Sequence, residues 1–557
     1  MKRPSLEELT LKEKVGQLLM VKQGKTILKR VDGELCFKTQ DEIDEIMTNS
    51  PYGCLWADCQ MYLNNINLSE DGADIDVAAS KRKIKKVQSA LRIPMLVGID
   101  CENGAGRVFT DATVISNPLT IAAADDEELT YKLSLAVARE IKAGGANWRW
   151  TPIADISNRY TGVSVGRCLS DDPDTVIKHA RAIIRGTENA GVASTVKHFP
   201  GLDPYEIRDA HIVPVSVNIP FDEWWNTQAK TFKAIIDAGV DTVMVGHTSF
   251  PAVDDTYVNG RYIPATLSSK ILNGLLREKM GFDGVIITDG VAMAGLTNFA
   301  TYEECLVMAI NAGNDVLLGV CPEDYDYVYQ AVLDGRIPME RIDESAERVL
   351  KLKEKLGLFD DEPEEEFDMT EQSRITAELD RQIAEKGITL VCDRNKMIPL
   401  NPSKIKKVTI VCSSHQIETK TELGIMKSEF EKRGATVKII DGISDREFMK
   451  ALAESEDLIV YAGYIAPHRP MGMPSLYGEK FETYINAFTY GKEKSVGVSM
   501  GYPYMHIDIM AGANTFFNLY STNERSQVAF VKALYGEIEA STNSPVDIKP
   551  QIRKVFG

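Results

Sequence analysis

The chain has 557 residues, a formal net charge of −18, and hydrophobic and charged fractions of 44% and 26%. The length exceeds one ordinary core and predicts two or three domains, with the composition of a soluble globular protein. The acidic balance argues against nucleic acid or an anionic membrane as the main partner, and no apolar run is long enough to span a bilayer.

At the N-terminus, MKRPSLEELTLKEKVGQLLMV spaces its apolar residues at helical intervals and lacks the unbroken core of a signal peptide. The expected location is therefore the cytoplasm. Nine cysteines, odd in number and mostly inside apolar runs, fit reduced thiols in a reducing compartment. No C-x-x-C pair and no His/Cys cluster at zinc spacing occurs, so neither a metal nor an organic cofactor is called for.

Short β-rich runs alternate with helical patterns through the first 320 residues. They are VGQLLMV (15–21), YGCLW (52–56), PMLVGID (94–100), WRWTPIAD (148–155), ASTVKHF (193–199), DTVMVGH (241–247), GVIITD (284–289) and DVLLG (315–319). Amphipathic stretches such as DEELTYKLSLAVAREIKAGG keep an apolar period near 3.6 between them. Eight buried-type strands, each followed by a helix-length stretch, predict an α/β fold with an N-terminal (β/α)8 barrel over residues 1–358; a doubly wound open sheet is the competing arrangement.

The acidic run FDDEPEEEFD opens a predicted linker over 359–375. A second, smaller α/β open-sheet domain is predicted over 376–557. Its strands are ITLVCD (388–393), KVTIVCS (407–413), TVKIID (436–441), DLIVYAG (457–463), SVGVSMG (495–501) and NTFFNLYS (514–521), read as a parallel sheet. Residues 463–481 form a long Pro-, Gly- and Met-rich stretch, read as a loop covering the barrel mouth or a subunit partner. A homodimer stays open.

In a parallel barrel, catalytic groups collect at the C-terminal strand ends. Asp100, Asp155, Lys197 with His198, His247 and Asp289 all fall at such ends. The stretch STVKHFPGLDPYEIRDAHIVP (194–214) adds an Asp-x-His pair, Asp209 and His211, on the loop after the fifth strand. A carboxylate can orient an imidazole for general acid/base work. Glycoside hydrolysis needs one ionised group and one proton carrier across the scissile bond, which Asp289 and the Asp209/His211 pair could supply. On chemistry alone this is one reading among several.

The motifs resemble glycoside hydrolase family 3, in its β-N-acetylglucosaminidase branch. LTLKEKVGQLLMV, VGIDCENG, NWRWTPIADI, VGRCLSDDP, KHFPG with a following Asp-x-His, and PATLSSKILNGLLREKMGFDGVIITD occur in the family's order. AINAGNDVLL and RVLKLKEKLGLF close the barrel domain, and IAEKGITLVCDRNKMIPL opens the second. The resemblance implies an Asp289 nucleophile with net retention, and His211 as general acid then base, oriented by Asp209. It implies that Asp100, Arg167, Lys197 and His198 bind the hydroxyls of a small-molecule carbohydrate substrate. Arg107 is the nearest candidate for a further family arginine, and His247 joins the substrate-binding set.

The chain departs from the family pattern in three places. Leu202–Asp203 replaces a His-Gly after KHFPG, the segment after Asp100 is longer, and Gly290 follows Asp289 where a bulkier or acidic residue is common. The primary expectation is an exo-acting release of terminal β-linked N-acetylglucosamine. The alternatives are a β-glucosidase or β-xylosidase, or a non-catalytic sugar-binding barrel, and phosphate is kept beside water as acceptor.

Overall fold

The computed structural model describes residues 2–32, 34–57, 76–161, 166–360, 367–413, 423–442, 445–464, 483 and 486–549. Most of the 463–481 stretch and residues 361–366 of the acidic run lie outside the described residues. Two compact units form. The first comprises Met1–Val114, Thr130–Ile156 and Ile177–Ala377; the second comprises Ile115–Leu129, Ser157–Val176 and Glu378–Gly557. Residues 369–375, expected in the linker, belong to a helix over Met369–Gly387, where Gln372 and Thr376 are buried.

The first unit is an eight-stranded parallel barrel: β1 (Leu19–Lys22), β2 (Cys54–Trp56), β3 (Leu96–Ile99), β4 (Trp148–Arg149), β5 (Ala193–Phe199), β6 (Thr242–Val245), β7 (Val285–Thr288) and β8 (Leu317–Val320). From β1 to β7 each strand pairs with its sequence neighbour, and β8 pairs with β1. An Ile287–Val316 bridge, with Val316 N donating to Ile286 O (3.1 Å), closes the ring between β7 and β8. Met20, Trp56, Leu96, Trp148, Trp150, Met244 and Ile287 share one buried cluster, with Trp56 and Trp150 packed edge to face at 5.5 Å.

Two strands differ from expectation for local reasons. The start of the expected first strand is helical, because Thr10 and Glu13 form a capping box that launches a helix over Leu11–Gln17. β4 ends at Arg149 because Pro152, with no N–H, interrupts the ladder; pairing resumes only as an isolated Ile153–Lys197 bridge.

The second unit holds a six-stranded sheet: β9 (Thr389–Asp393), β10 (Lys407–Ser413), β11 (Thr436–Asp441), β12 (Leu458–Gly463), β13 (Ser495–Ser499) and β14 (Thr515–Asn518), in the order β9-β14-β13-β12-β10-β11. The sheet is mixed, which corrects the parallel reading: the edge strand β9 runs antiparallel to β14. Val408, Ile410, Val460 and Val498 pack in one cluster and Val411, Ile459, Tyr461 and Phe516 in another. Both faces are covered, as the near-continuous apolar strands require.

At the N-terminal end of the barrel, Glu188 and Asp241 bring two carboxyls together. Asp241 pairs with Lys355 Nζ, which is also 3.9 Å from Glu188. Burial, then the Asp241 charge, pushes the Glu188 carboxyl well above its ordinary 4.5, so the fold retains a proton that the unfolded chain releases. This stabilisation is complete below about pH 4.5 and is lost as pH rises through the elevated folded value. Glu188→Gln, which imitates the protonated acid and still accepts the Ser194 hydroxyl, should flatten this dependence. Between pH 6 and 9 the Tm of the wild type should fall further than that of the variant; parallel curves would exclude the proton retained on Glu188.

Candidate active site

Strands β3, β4, β5 and β7 place charged groups at the C-terminal rim of the barrel. Lys197, near the end of β5, is 2% exposed, and its ammonium lies 3.1 Å from Asp100 and 2.8 Å from Glu102. Asp100 directly follows β3. His198 donates from Nδ1 to Asp155 (2.7 Å), and the same carboxylate accepts the His198 backbone N–H at 3.1 Å. Asp155 is fully buried, so this contact fixes the ring and directs Nε2 as the nitrogen for chemistry beyond the dyad. Behind the rim, Phe199 packs edge to face on Trp224 and Phe232, while Trp224 Nε1 donates to the Pro200 carbonyl at 2.8 Å.

Asp289 directly follows β7. Its N–H donates to Val245 O on β6 (2.9 Å), and two residues later Val291 N donates to Leu318 O on β8 (3.0 Å). The carboxylate is therefore carried on backbone held from both sides. Burial alone would raise its pKa. The imidazoles of His198, His247 and His211, with the Gly290 N–H 2.7 Å from Oδ1, instead hold it at about 2. Asp289 is an ionised carboxylate throughout the physiological range.

His247 is buried beneath this group. Its Nδ1 lies 2.8 Å from the Thr266 hydroxyl and its Nε2 2.9 Å from the Gly290 carbonyl. Burial drives the His247 pKa down against the nearby Asp289 charge; Nε2–H donates to the Gly290 carbonyl, and the Thr266 hydroxyl that meets Nδ1 also reaches the Gly246 carbonyl at 3.1 Å. Both nitrogens are engaged within the protein.

On the loop after β5, the Asp209 carboxylate holds His211 Nδ1 at 2.6 Å and its backbone N–H at 2.9 Å. Asp209 is buried, whereas the His211 side chain is 34% exposed. Any exchange of protons with a bound molecule therefore runs through Nε2. The His211 carbonyl accepts Ala294 N (3.2 Å) from the segment that follows Asp289.

The structure brings together Asp100, Lys197, His198, Asp289 and the Asp209–His211 dyad, with His247 behind them. Arg107 is exposed on the 3-10 turn Ala105–Arg107, outside this hydrogen-bonded set. Arg167 is buried and lies in the 157–176 segment of the second unit. Glu102 is a partner that the sequence reading did not place in the site; its signal was its position two residues after Asp100. Asp155, expected at a strand end, lies beyond β4 and holds His198. Among the described residues, no group of three or more His, Cys, Asp or Glu side chains is arranged to hold a metal ion.

A closed parallel barrel presenting a low-pKa carboxylate and a His–Asp dyad at one rim defines a barrel-type glycoside hydrolase. Residues 10–352 match the Glycosyl hydrolase family 3 N terminal domain, and the chain belongs to that family. It is similar to a β-N-acetylglucosaminidase/β-glucosidase of Cellulomonas fimi, with 26% identity covering 85% of this chain and 86% of the relative. A β-hexosaminidase of Xylella fastidiosa is 32% identical over 46% of this chain and 78% of its own length. Among solved structures, a β-glucoside phosphorylase (BglX) bound to 2FGlc superposes with a TM-score of 0.81 at 26% identity, covering 98% and 95% of the two chains. A family 3 β-N-acetylglucosaminidase from Paenibacillus sp. str. FPU-7 gives 0.80 at 25% identity, covering 98% and 100%.

The depressed Asp289 pKa can be checked by trapping. A fluorinated glycosyl fluoride needs no proton for its leaving group, so its rate of covalent capture follows the carboxylate alone. Capture should stay level from neutrality down to about pH 4; a midpoint near an ordinary aspartate value of about 3.9 or above would contradict the charge environment described.

Proposed function

We propose that this chain is a retaining, exo-acting glycosidase that releases terminal β-linked N-acetylglucosamine. The observation that carries the reading is the Asp209–His211 dyad, on the loop that follows KHFPG, together with the ionised Asp289. Both the relatives and the solved structures named above include β-N-acetylglucosaminidases.

In the first step an Asp289 oxygen attacks the anomeric carbon while the glycosidic C–O bond breaks, and His211 Nε2–H gives its proton to the departing oxygen. In the second, water attacks the same carbon, its proton passes to His211, and the bond to Asp289 breaks. Two inversions give net retention. Asp209 holds Nδ1–H in both protonation states: it supports the imidazolium that begins the cycle and, in the glycosyl-enzyme, keeps the Nδ1–H tautomer whose Nε2 accepts the proton of water.

Asp100, Lys197 and His198 bind the sugar hydroxyls, with Glu102 holding Lys197 in place. His247 acts through Gly290 on Asp289 and does not touch the sugar. The protein works in the cytoplasm, a reading supported by the eight described cysteines, all free thiols. Among the described residues, no helix is long and apolar enough to cross a membrane.

Phosphate is the second acceptor to consider. An imidazole does not repel an incoming anion as a carboxylate would, and one similar structure is a β-glucoside phosphorylase.

The test compares p-nitrophenyl β-GlcNAc, β-glucoside and β-xyloside, each with and without inorganic phosphate. β-GlcNAc should be the best substrate. Asp289→Ala should abolish turnover, and His211→Ala and Asp209→Asn should each lower kcat by about 10²–10⁴. A faster β-glucoside would overturn the sugar assignment. Release of the 1-phosphate sugar in place of free sugar would move the acceptor to phosphate. Full activity in His211→Ala would remove the dyad from the mechanism.

A further inference from the structure

The loop that carries His211 leaves β5 at Pro200 and returns to the helix Phe221–Asn226 at Pro220. A segment of this length would ordinarily be a mobile element, closing over substrate at an entropic cost. Here it is tied down at its neck, along its return limb and beneath its tip.

The neck is held first by Gln228, 2% exposed, whose Nε2 donates to Leu202 O (2.9 Å) and Ile156 O (3.2 Å), while its Oε1 accepts Ile156 N (3.1 Å). Gly201 makes this approach feasible. It has φ +97°, and a Cβ there would stand 2.7 Å from Gln228 Oε1. Asp203 then joins the two limbs. One carboxylate oxygen accepts Tyr205 N (2.8 Å) on the outgoing side, and the other accepts Asn218 N (2.7 Å) on the return. The side chain is buried, and the Asp203 carbonyl accepts Glu206 N at 3.2 Å.

The return limb pairs with the segment after β6: Val217 N donates to Ser249 O (2.8 Å) and Ser249 N to Val215 O (3.0 Å). At the tip, Ala294 N reaches the His211 carbonyl, and Gly295 lies against Ala210, where an added Cβ would stand 2.3 Å from the Ala210 carbonyl oxygen. A methyl group at 295 must displace the residue next to His211.

We propose that Asp203 is a positioning residue that holds the acid/base loop in its working place by closing its neck, with Gly295 seating the tip. The residue lies where the chain departs from its family pattern. The carboxylate supplies two acceptor positions for two backbone donors, a match that an amide cannot make. This inference rests on the assignment of His211 as the acid/base. It adds that His211 is delivered by a loop anchored before the sugar arrives.

The experiment uses aryl β-GlcNAc substrates of graded leaving-group acidity with the full-length wild type, Asp203→Asn, Gly295→Ala and His211→Ala. A 2,4-dinitrophenyl group departs without a proton, whereas a p-methylphenyl group needs one. For Asp203→Asn, kcat/KM should fall about 10–100-fold with p-methylphenyl and stay within about threefold with dinitrophenyl. The kcat lost on the dinitrophenyl substrate should be restored by azide, which attacks the glycosyl-enzyme without a base. Gly295→Ala should give the same pattern from the other end of the loop, and His211→Ala a steeper one. Uniform losses across leaving groups in both loop variants, or wild-type behaviour in both, would overturn the positioning role. Absence of leaving-group dependence in His211→Ala would instead overturn the acid/base assignment beneath it.

Discussion

The barrel mouth is organised around a buried ammonium. Lys197 has almost no access to water, and an unpaired charge there would cost several kcal/mol. Its two carboxylate partners, Asp100 and Glu102, stand just beyond β3, two strands away from β5. The charge requirement therefore couples strands that share no backbone ladder. Asp155, beyond the intervening β4, takes the ring of the next residue, His198. Three successive strand ends are cross-linked by charge-assisted contacts, and their side chains have little freedom left.

The opposite wall works with the reverse sign. Asp289 belongs to a protein with a strongly negative net charge, but its own surroundings supply imidazoles and a backbone N–H. The local field decides its ionisation, because interactions at contact range outweigh distant charges screened by solvent. His247 contributes to that field, but its position is set by backbone chemistry: it bonds the carbonyl of Gly290, the residue whose own N–H meets Asp289. A strand-end histidine of this kind is part of the support for the Asp289 carboxylate. The sequence could place it at the rim but could not show which way its nitrogens point.

Most of the architecture was legible because buried parallel strands are written as apolar runs. The fifth strand and two strands of the second sheet match their expected limits. Expectation failed where a local device overrode the run. The Thr10–Glu13 cap turned the start of the first strand into helix, and Pro152 cut the fourth short. The direction of β9 was invisible, since an edge strand has the same composition whichever way it runs. Membership of segments 115–129 and 157–176 in the second unit depends on long-range packing, which no local pattern encodes. The rim residues Asp100, Lys197, His198 and Asp289 were found from position alone. Glu102 was not, because its role exists only once Lys197 folds against it.

The His211 loop shows why a break in a motif resemblance is best judged by the contacts of the residues found there. Replacing a His-Gly with Leu202–Asp203 removes the backbone freedom of a glycine, which alone would stiffen the loop to no purpose. The structure shows the compensation: the Asp203 carboxylate bonds both limbs, and the Leu202 carbonyl meets Gln228. Anchoring of this kind moves the entropic cost of ordering the loop from the binding step to folding, where burial and backbone hydrogen bonds offset it. It also changes what the sugar must do on arrival. A loop already in place cannot use substrate binding to complete the site, so discrimination must come from the fit of the sugar to groups that are already fixed. The rim meets that condition, because Lys197, His198 and Asp289 are each held by contacts that need no ligand.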